Sequence, residues 1–271
     1  MSHGEADFPR LESRLPDLMG FAAGLTRDIE TGQIDSWPVM VAQVRAFFSP
    51  QRRNQVDHLI PGWQKMAAYA EDATLVHVMA VMASLLRCPE YRVAPPSQQA
   101  LMQWIVLLHD IDKKVVEGQR DPTHPFRCAA KAGPIVAALG FGVTGQYAAG
   151  IEEWSRLALT AETKRGDSLI PDNGKLPEIL AGIEVIFGRD RPSGLLVETI
   201  LLHQSINVVE KWPQAAPLSA TQARQYIRPA LWPLLRIMML VDNEAWNLFD
   251  QELRDLFRGE TLRAFAEIER R

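Results

Sequence analysis

Hydrophobic residues recur along the chain with the spacing of amphipathic helices, and the alternating patterns typical of strands are almost absent. The densest apolar run is DATLVHVMAVMASLL, residues 72–86, which predicts a helix buried at the centre of the core. This helix should end near Cys88, because Pro89 disfavours helical geometry in the residue before it. Further helical runs occupy residues 98–114, 124–140, 193–212 and 226–257. The pattern therefore predicts an all-α fold.

The chain shows no internal repeat and no sharp change in composition that would mark a domain boundary. We expect residues 1–60 to form an N-terminal helical extension packed on the core, and residues 61–271 to form the main helical domain. Thr123 is a candidate N-cap for the helix that follows it. Residues 163–178 are rich in glycine, proline and charge, which predicts a long surface loop whose basic residues can close over a substrate.

Composition is that of an ordinary globular protein. The 271 residues are 47% hydrophobic and 23% charged, and a formal net charge of −4 does not indicate a nucleic-acid-binding surface. Two cysteines are too few for a disulfide framework, so we interpret them as buried thiols. With neither a secretory signal pattern nor an apolar run of about 18 residues, the sequence predicts a cytoplasmic protein with no membrane segment. Trp104, Trp232 and Trp246 lie in apolar segments and are expected to pack in the core.

Four polar residues stand in runs that should be buried. His109 and Asp110 end the apolar run WIVLLHD, and His77 lies in the middle of residues 72–86. Asp242 lies among apolar residues in RIMMLVDNEAW. A buried histidine or carboxylate needs a partner, because an unsatisfied polar group costs roughly 1–3 kcal/mol and an unpaired charge more. Each residue alone is more often a hydrogen-bonded core residue, but the ordered set of four indicates a metal site.

The set resembles the H…HD…D pattern of the HD superfamily of metal-dependent phosphohydrolases. LLHDIDK is similar to that family's LLHDIGK, with Asp112 where glycine is usual and Lys113 at the lysine position. THPFRCAAKAGPIVAALGF resembles the next segment of HD-GYP phosphodiesterases and of the HD part of bacterial tRNA nucleotidyltransferases. ETILLHQS and LLRIMMLVDNEAW resemble the later histidine and aspartate helices, so the resemblance covers roughly residues 70–250.

The resemblance implies an HD-type helical bundle in which His77, His109, Asp110 and Asp242 bind a divalent metal. Zn, Mn, Fe, Co, Ni and Mg all stay open, as does a count of one or two ions.

Two further histidines, His124 and His203, match the ligands of a second metal in the binuclear branches, where Asp110 would bridge the ions. Their spacing differs from that of HD-GYP proteins, and the GYP motif is missing. An exposed residue at a helix start and a hydrogen-bonded core histidine are almost equally good interpretations of these two side chains.

Three basic residues near the expected ligands are candidate phosphate contacts: Lys113, Arg127 and Lys131. Ordinary solvated surface charge is the alternative for each of them. The resemblance implies catalytic roles for Asp110 and Lys113.

By resemblance, the chain would hydrolyse a phosphomonoester, a phosphodiester or a nucleotide through a metal-activated water. Its expected partner is a small phosphorylated molecule, and its oligomeric state stays open. One alternative is an HD-fold di-iron oxygenase, which uses the arrangement H…HD…H…H…D. The other is a non-catalytic regulatory module that binds metal.

Overall fold

Helices account for most of the structure, as the sequence predicts. The computed structural model describes residues 9–67, 71–114, 121–141, 148–166, 168–209 and 212–270. Within these residues the α-helices are α1 (Leu11–Arg14), α2 (Pro16–Glu30), α3 (Trp37–Phe47), α4 (Pro50–Leu59), α5 (Trp63–Ala67), α6 (Ala73–Arg87), α7 (Pro89–Arg92), α8 (Pro96–Leu108), α9 (His124–Ala138), α10 (Ala148–Leu159), α11 (Leu176–Phe187), α12 (Pro192–Leu202), α13 (Ala220–Tyr226), α14 (Trp232–Trp246) and α15 (Gln251–Glu269). Short 3₁₀ turns lie at Asn173–Lys175 and Pro229–Leu231.

Helix α6 is the centre of the fold and confirms the prediction of a buried helix. Its residues from Thr74 to Leu85 are all buried, and it ends at Arg87, just before Cys88 and Pro89. α14, α2 and α8 pack against it. The surrounding apolar side chains belong to one cluster that runs from α1 to α15, so α1–α4 lie against the same core as the later helices. A domain division at residue 60 stays a prediction.

The start of α6 is held by an ion-pair arrangement. Asp72 has a left-handed backbone with φ of 71°, a conformation that is uncommon outside glycine. Its carboxylate accepts from Arg53 Nη1 at 2.8 Å and from Arg45 Nε at 3.1 Å. Burial raises the pKa of Asp72 less than these arginines lower it, so the pKa falls below its ordinary value. The two arginines therefore attach the start of the central helix to α3 and α4.

The loop predicted at residues 163–178 is wrong. Strands β1 (Glu162–Arg165) and β2 (Ser168–Pro171) form an antiparallel pair in register from Glu162↔Pro171 to Arg165↔Ser168, and α11 begins at Leu176. Gly166, with φ of 62°, supplies the positive backbone angle that such a tight turn requires. The glycine and prolines that indicated a loop therefore mark the ends of short elements.

No helix in the described parts of the chain combines the length and apolarity needed to cross a membrane.

Candidate metal centre

Five helices bring six buried polar side chains to one place. His77 projects from the middle of α6, His109 and Asp110 follow the last turn of α8, and His124 begins α9. His203 follows the last turn of α12, and Asp242 lies in α14. All six are buried, and we refer to them as the His/Asp cluster. The four residues of the sequence pattern lie together, and His124 and His203 join them, while their role as metal ligands stays a prediction.

The first half of the cluster is a triad of His77, His109 and Asp242. One ligand atom from each lies within 4.8 Å of the other two. Asp242 Oδ1 is 2.9 Å from His77 Nε2 and 3.9 Å from His109 Nε2. A single small cation can therefore contact all three side chains.

The second half is a triad of Asp110, His124 and His203, again with ligand atoms within 4.8 Å of one another. His124 Nε2 is 3.1 Å from Asp110 Oδ1 and 3.2 Å from His203 Nε2. His124 is therefore buried and is not an exposed helix-start residue, whereas His203 is a hydrogen-bonded core histidine that also faces His124.

Asp110 joins the two triads through different oxygen atoms. Its Oδ2 faces the first triad, at 3.5 Å from His109 Nε2 and 3.6 Å from His77 Nε2. Its Oδ1 faces His124 in the second triad. A carboxylate in this position can offer one oxygen to each of two neighbouring cations, which is the arrangement that the HD resemblance implies.

Backbone carbonyls fix the protonation of three imidazole rings. His109 Nδ1 donates to Val106 O at 2.8 Å, and His203 Nδ1 donates to Ile200 O at 2.7 Å. His124 Nδ1 donates to the carbonyl of Asp121. Because a carbonyl oxygen only accepts, each Nδ1 carries the proton and each neutral ring directs the Nε2 lone pair into the cluster. Metal-binding histidines are usually oriented by such a hydrogen bond on the outer nitrogen.

The cluster leaves polar atoms without partners. Among the described residues, His109 Nε2 and Asp110 Oδ1 are buried and have no hydrogen-bond partner. Asp110 Oδ1 and His124 Nε2 face each other at 3.1 Å, and both are acceptors when the ring is neutral. Such groups cost roughly 1–3 kcal/mol each when left unsatisfied, and a cation between them removes that cost. The residues therefore fit a divalent metal, and four imidazoles with two carboxylates suit Mn, Fe, Co, Ni or Zn.

Burial and neighbouring charges favour the forms that bind metal. Burial, assisted by the nearby rings of His124 and His109, lowers the pKa of His203 to about 3. Burial also lowers the pKa of His109, despite the opposing charges of Asp110 and Asp242. Burial raises the pKa of the Asp110 and Asp242 carboxyls, but the neighbouring imidazole rings lower both pKa values by more. Lys113 also lowers the pKa of Asp110, so both carboxyls have a pKa below the ordinary value. Asp110 and Asp242 are therefore carboxylates at neutral pH, which is the form that binds a metal ion.

Lys113 supplies an ammonium group at the edge of the cluster. Its Nζ lies 2.7 Å from Asp110 Oδ2, the oxygen that faces the first triad. Burial lowers the pKa of Lys113, but Asp110 and Asp242 raise it by more, so the pKa lies above its ordinary value and the group is charged at neutral pH. Lys113 therefore lies beside Asp110, and its role as a phosphate contact stays a prediction.

Arg127 lies deeper than a surface phosphate contact would. Its guanidinium group pairs with Asp121 through Nη2 and with Glu162 through Nη1. It also donates to Thr123 Oγ1 at 2.8 Å. Since Asp121 holds His124 through its carbonyl, Arg127 supports the segment that positions a ligand.

Thr123 occupies the N-cap position of α9, but its side chain makes no capping hydrogen bond. Its hydroxyl donates instead to Glu162 Oε2 at 2.8 Å, so the predicted cap is wrong. The other expected phosphate contact, Lys131, is partly exposed, and its ammonium end lies beside Gly62.

Trp246 is the residue that sequence reasoning placed wrongly. Trp104 is fully buried, as predicted, and Trp232 is half-buried against Phe265. Trp246 is 56% exposed, and its ring stacks on His77 with centroids 4.3 Å apart. The indole follows Asp242 by four residues, one helical turn along the same face of α14, and this spacing was the available sequence signal.

None of the family models, curated proteins or solved structures compared with this chain matches it.

Proposed function

We propose that the chain is a metal-dependent phosphohydrolase of the HD type. The observation that carries the proposal is the position of Asp110, whose Oδ2 faces His77 and His109 of the first triad while its Oδ1 faces His124 within its own triad. The order of these ligands along the chain, H…HD…H…H…D, supports the HD assignment that the motifs suggest.

The chemistry rests on a divalent metal. The His/Asp cluster would hold the metal, which would supply a bound water of near-neutral pKa and polarisation of a phosphoryl oxygen. The chain supplies the rest: the three carbonyl-anchored rings keep their Nε2 atoms aimed inwards, and Asp110 holds the halves of the cluster together.

Lys113 is the proposed phosphate contact. Its ammonium group is charged, lies beside Asp110, and its side chain is 12% exposed, whereas the side chain of Asp110 is fully buried. An incoming phosphate oxygen can therefore pair with Lys113 while Asp110 stays within the cluster. The substrate expected from this arrangement is a small phosphate ester or a nucleotide.

A di-iron oxygenase is a second candidate, because six nitrogen and carboxylate ligands in two triads also suit iron. The charged Lys113 favours hydrolysis, since an ammonium group at the edge complements a phosphate. Oxygen consumption by the iron-loaded protein on a candidate substrate tests the oxygenase directly.

The experiment is a screen of phosphate esters and nucleotides with purified protein loaded with Mn, Co, Ni, Mg or Fe. We expect hydrolysis, and we expect Asp110→Asn to abolish turnover and reduce bound metal. Asp112→Asn is the matched control, because Asp112 is only two residues away and its described hydrogen bonds use backbone atoms. A fully metal-loaded protein that hydrolyses none of these esters would contradict the proposal and leave the oxygenase and the non-catalytic metal-binding module as the candidates.

A further inference from the structure

Access to the His/Asp cluster is uneven. The side chains of Lys113 and Asp242 are 12% and 10% exposed, whereas those of His109 and Asp110 are fully buried. Solvent therefore approaches the cluster along the side formed by α14 and Lys113.

Trp246 lies on this side. Its inner face is covered by the His77 ring, which is tilted from it by only 24°. The residue is still 56% exposed, so more than half of its surface is open to solvent. Small-molecule sites are typically lined by apolar and aromatic side chains next to a few polar groups, and Trp246 beside the His/Asp cluster has this character.

Lys113 connects this ring to the cluster. Its Nζ lies 5.3 Å from the Trp246 ring centroid and 2.7 Å from Asp110 Oδ2. A phosphate that pairs with Lys113 is thus next to the indole. The indole offers an apolar surface and the ammonium group a positive charge, and the two are close enough for one small molecule to contact both.

We propose that Trp246 is a specificity-determining residue that stacks a flat aromatic ring of the substrate on its outer face. This inference rests on the proposed function, because it assumes that Lys113 holds the substrate phosphate. A ring stacked there would lie roughly 8 Å from the His77 ring, about twice the 4.3 Å separation of His77 and Trp246. His77 belongs to the cluster beside which the phosphate would lie. A spacer of several bonds must therefore join the stacked ring to the phosphate.

The substrate class is then a phosphate ester with an aromatic group on a short spacer. A nucleoside monophosphate has this form, with the sugar as the spacer, and so does an arylalkyl phosphate. Base–aromatic stacking is tolerant of ring identity because every aromatic ring has a π-face.

The test measures equilibrium binding to the Mn-loaded protein by calorimetry, at a temperature where turnover is negligible. The ligands are adenosine 5′-monophosphate, ribose 5-phosphate, which lacks the ring, and 2-phenylethyl phosphate, which carries a ring without a nucleoside. We expect Trp246→Ala to weaken adenosine monophosphate binding roughly tenfold. Ribose 5-phosphate binding should change less than about twofold, and Trp246→Phe should recover most of the lost affinity.

Two controls test whether a loss of affinity is specific to Trp246 and independent of metal content. Trp212→Ala removes another partly exposed tryptophan, one that stacks on Phe257 instead of on a ligand, and it should change no affinity. Metal content of the Trp246 variants should equal that of the unchanged protein.

A matching loss for 2-phenylethyl phosphate shows that any spaced ring is accepted, and a loss confined to adenosine monophosphate identifies a nucleobase. The inference would be overturned if Trp246→Ala weakened ribose 5-phosphate binding as much as adenosine monophosphate binding, or if it weakened the binding of neither ring-bearing ligand. Reduced metal content in both Trp246 variants would also overturn it. Binding decides the role of Trp246, whereas the absence of hydrolysis would count against the proposed function alone.

Discussion

His124 and His203 face each other through Nε2 atoms only 3.2 Å apart, while each outer nitrogen donates to a backbone carbonyl. When both rings are neutral, two lone pairs point at each other in a buried site. Neutral imidazoles repel in this geometry, and a cation shared between them turns the repulsion into attraction. The pair can therefore hold one ion between its two Nε2 atoms.

Replacing one of these histidines should remove one metal and keep the other. The first triad does not include His124 or His203, so we expect His203→Ala to lower bound metal from two ions per chain to one. Metal content after dialysis, measured by inductively coupled plasma mass spectrometry, checks this. His58→Ala, at an exposed histidine, is the control and should leave the content unchanged. A content of two ions in His203→Ala would refute the second site.

Lys113→Met should reduce turnover without emptying the site. The variant removes the ammonium group beside Asp110 but leaves all six ligands in place. Loss of a charged donor to a phosphate typically lowers kcat by about 10²-fold or more, so we expect a fall of at least that size in kcat/KM. Steady-state kinetics and metal content on the same samples measure both effects.

The neighbouring exposed lysine provides the comparison. Lys114→Met changes the same charge one residue away and should retain near-normal kinetics. If Lys113→Met kept normal kcat/KM, the phosphate-binding role of Lys113 would be wrong.

The central helix and the burial of His77, His109, Asp110 and Asp242 were predictable because each depends on local pattern. An apolar run as dense as residues 72–86 has to be buried, and a histidine inside it has to be satisfied by a partner. The hydrophobic pattern did not indicate which side chains far apart in the sequence contact each other. The contacts of Arg127 with Asp121 and Glu162 join α9 to β1, and the strands themselves are only four residues long.

Trp246 shows a different limit. An apolar residue near the end of an apolar helix is normally packed, and only the tertiary position of α14 leaves this one open. The burial of a residue at a helix end depends on which other segments pack against it, and a single sequence does not specify those segments.

Removal of Arg127 should destabilise the fold. Arg127→Met leaves the carboxylates of Asp121 and Glu162 in a largely buried site without their cation. Breaking such a pair by removing one partner costs about 3–5 kcal/mol, which we expect as the loss in free energy of unfolding. Urea denaturation of metal-free protein measures it, so that metal binding does not contribute.

An exposed pair gives the reference value for that experiment. Arg263→Met breaks the surface contact with Glu260 and should cost no more than about 1 kcal/mol. Equal effects of the two substitutions would show that the Arg127 network does not stabilise the buried segment before His124.

Both thiols should resist alkylation in the native protein. Burial raises the pKa of Cys88 to about 11 and raises that of Cys128 well above its ordinary value. Only the thiolate reacts, and a raised pKa keeps the thiol protonated until the pH approaches that value, so at pH 8 the reactive fraction is small. Both sulfurs are also nearly inaccessible to reagent. We expect iodoacetamide to label neither cysteine within an hour at pH 8 and both after unfolding in urea, as counted by intact mass. Rapid labelling of Cys128 in the native state would mean that α9, which carries both Cys128 and His124, opens readily, and the rigid placement of His124 would then be untenable.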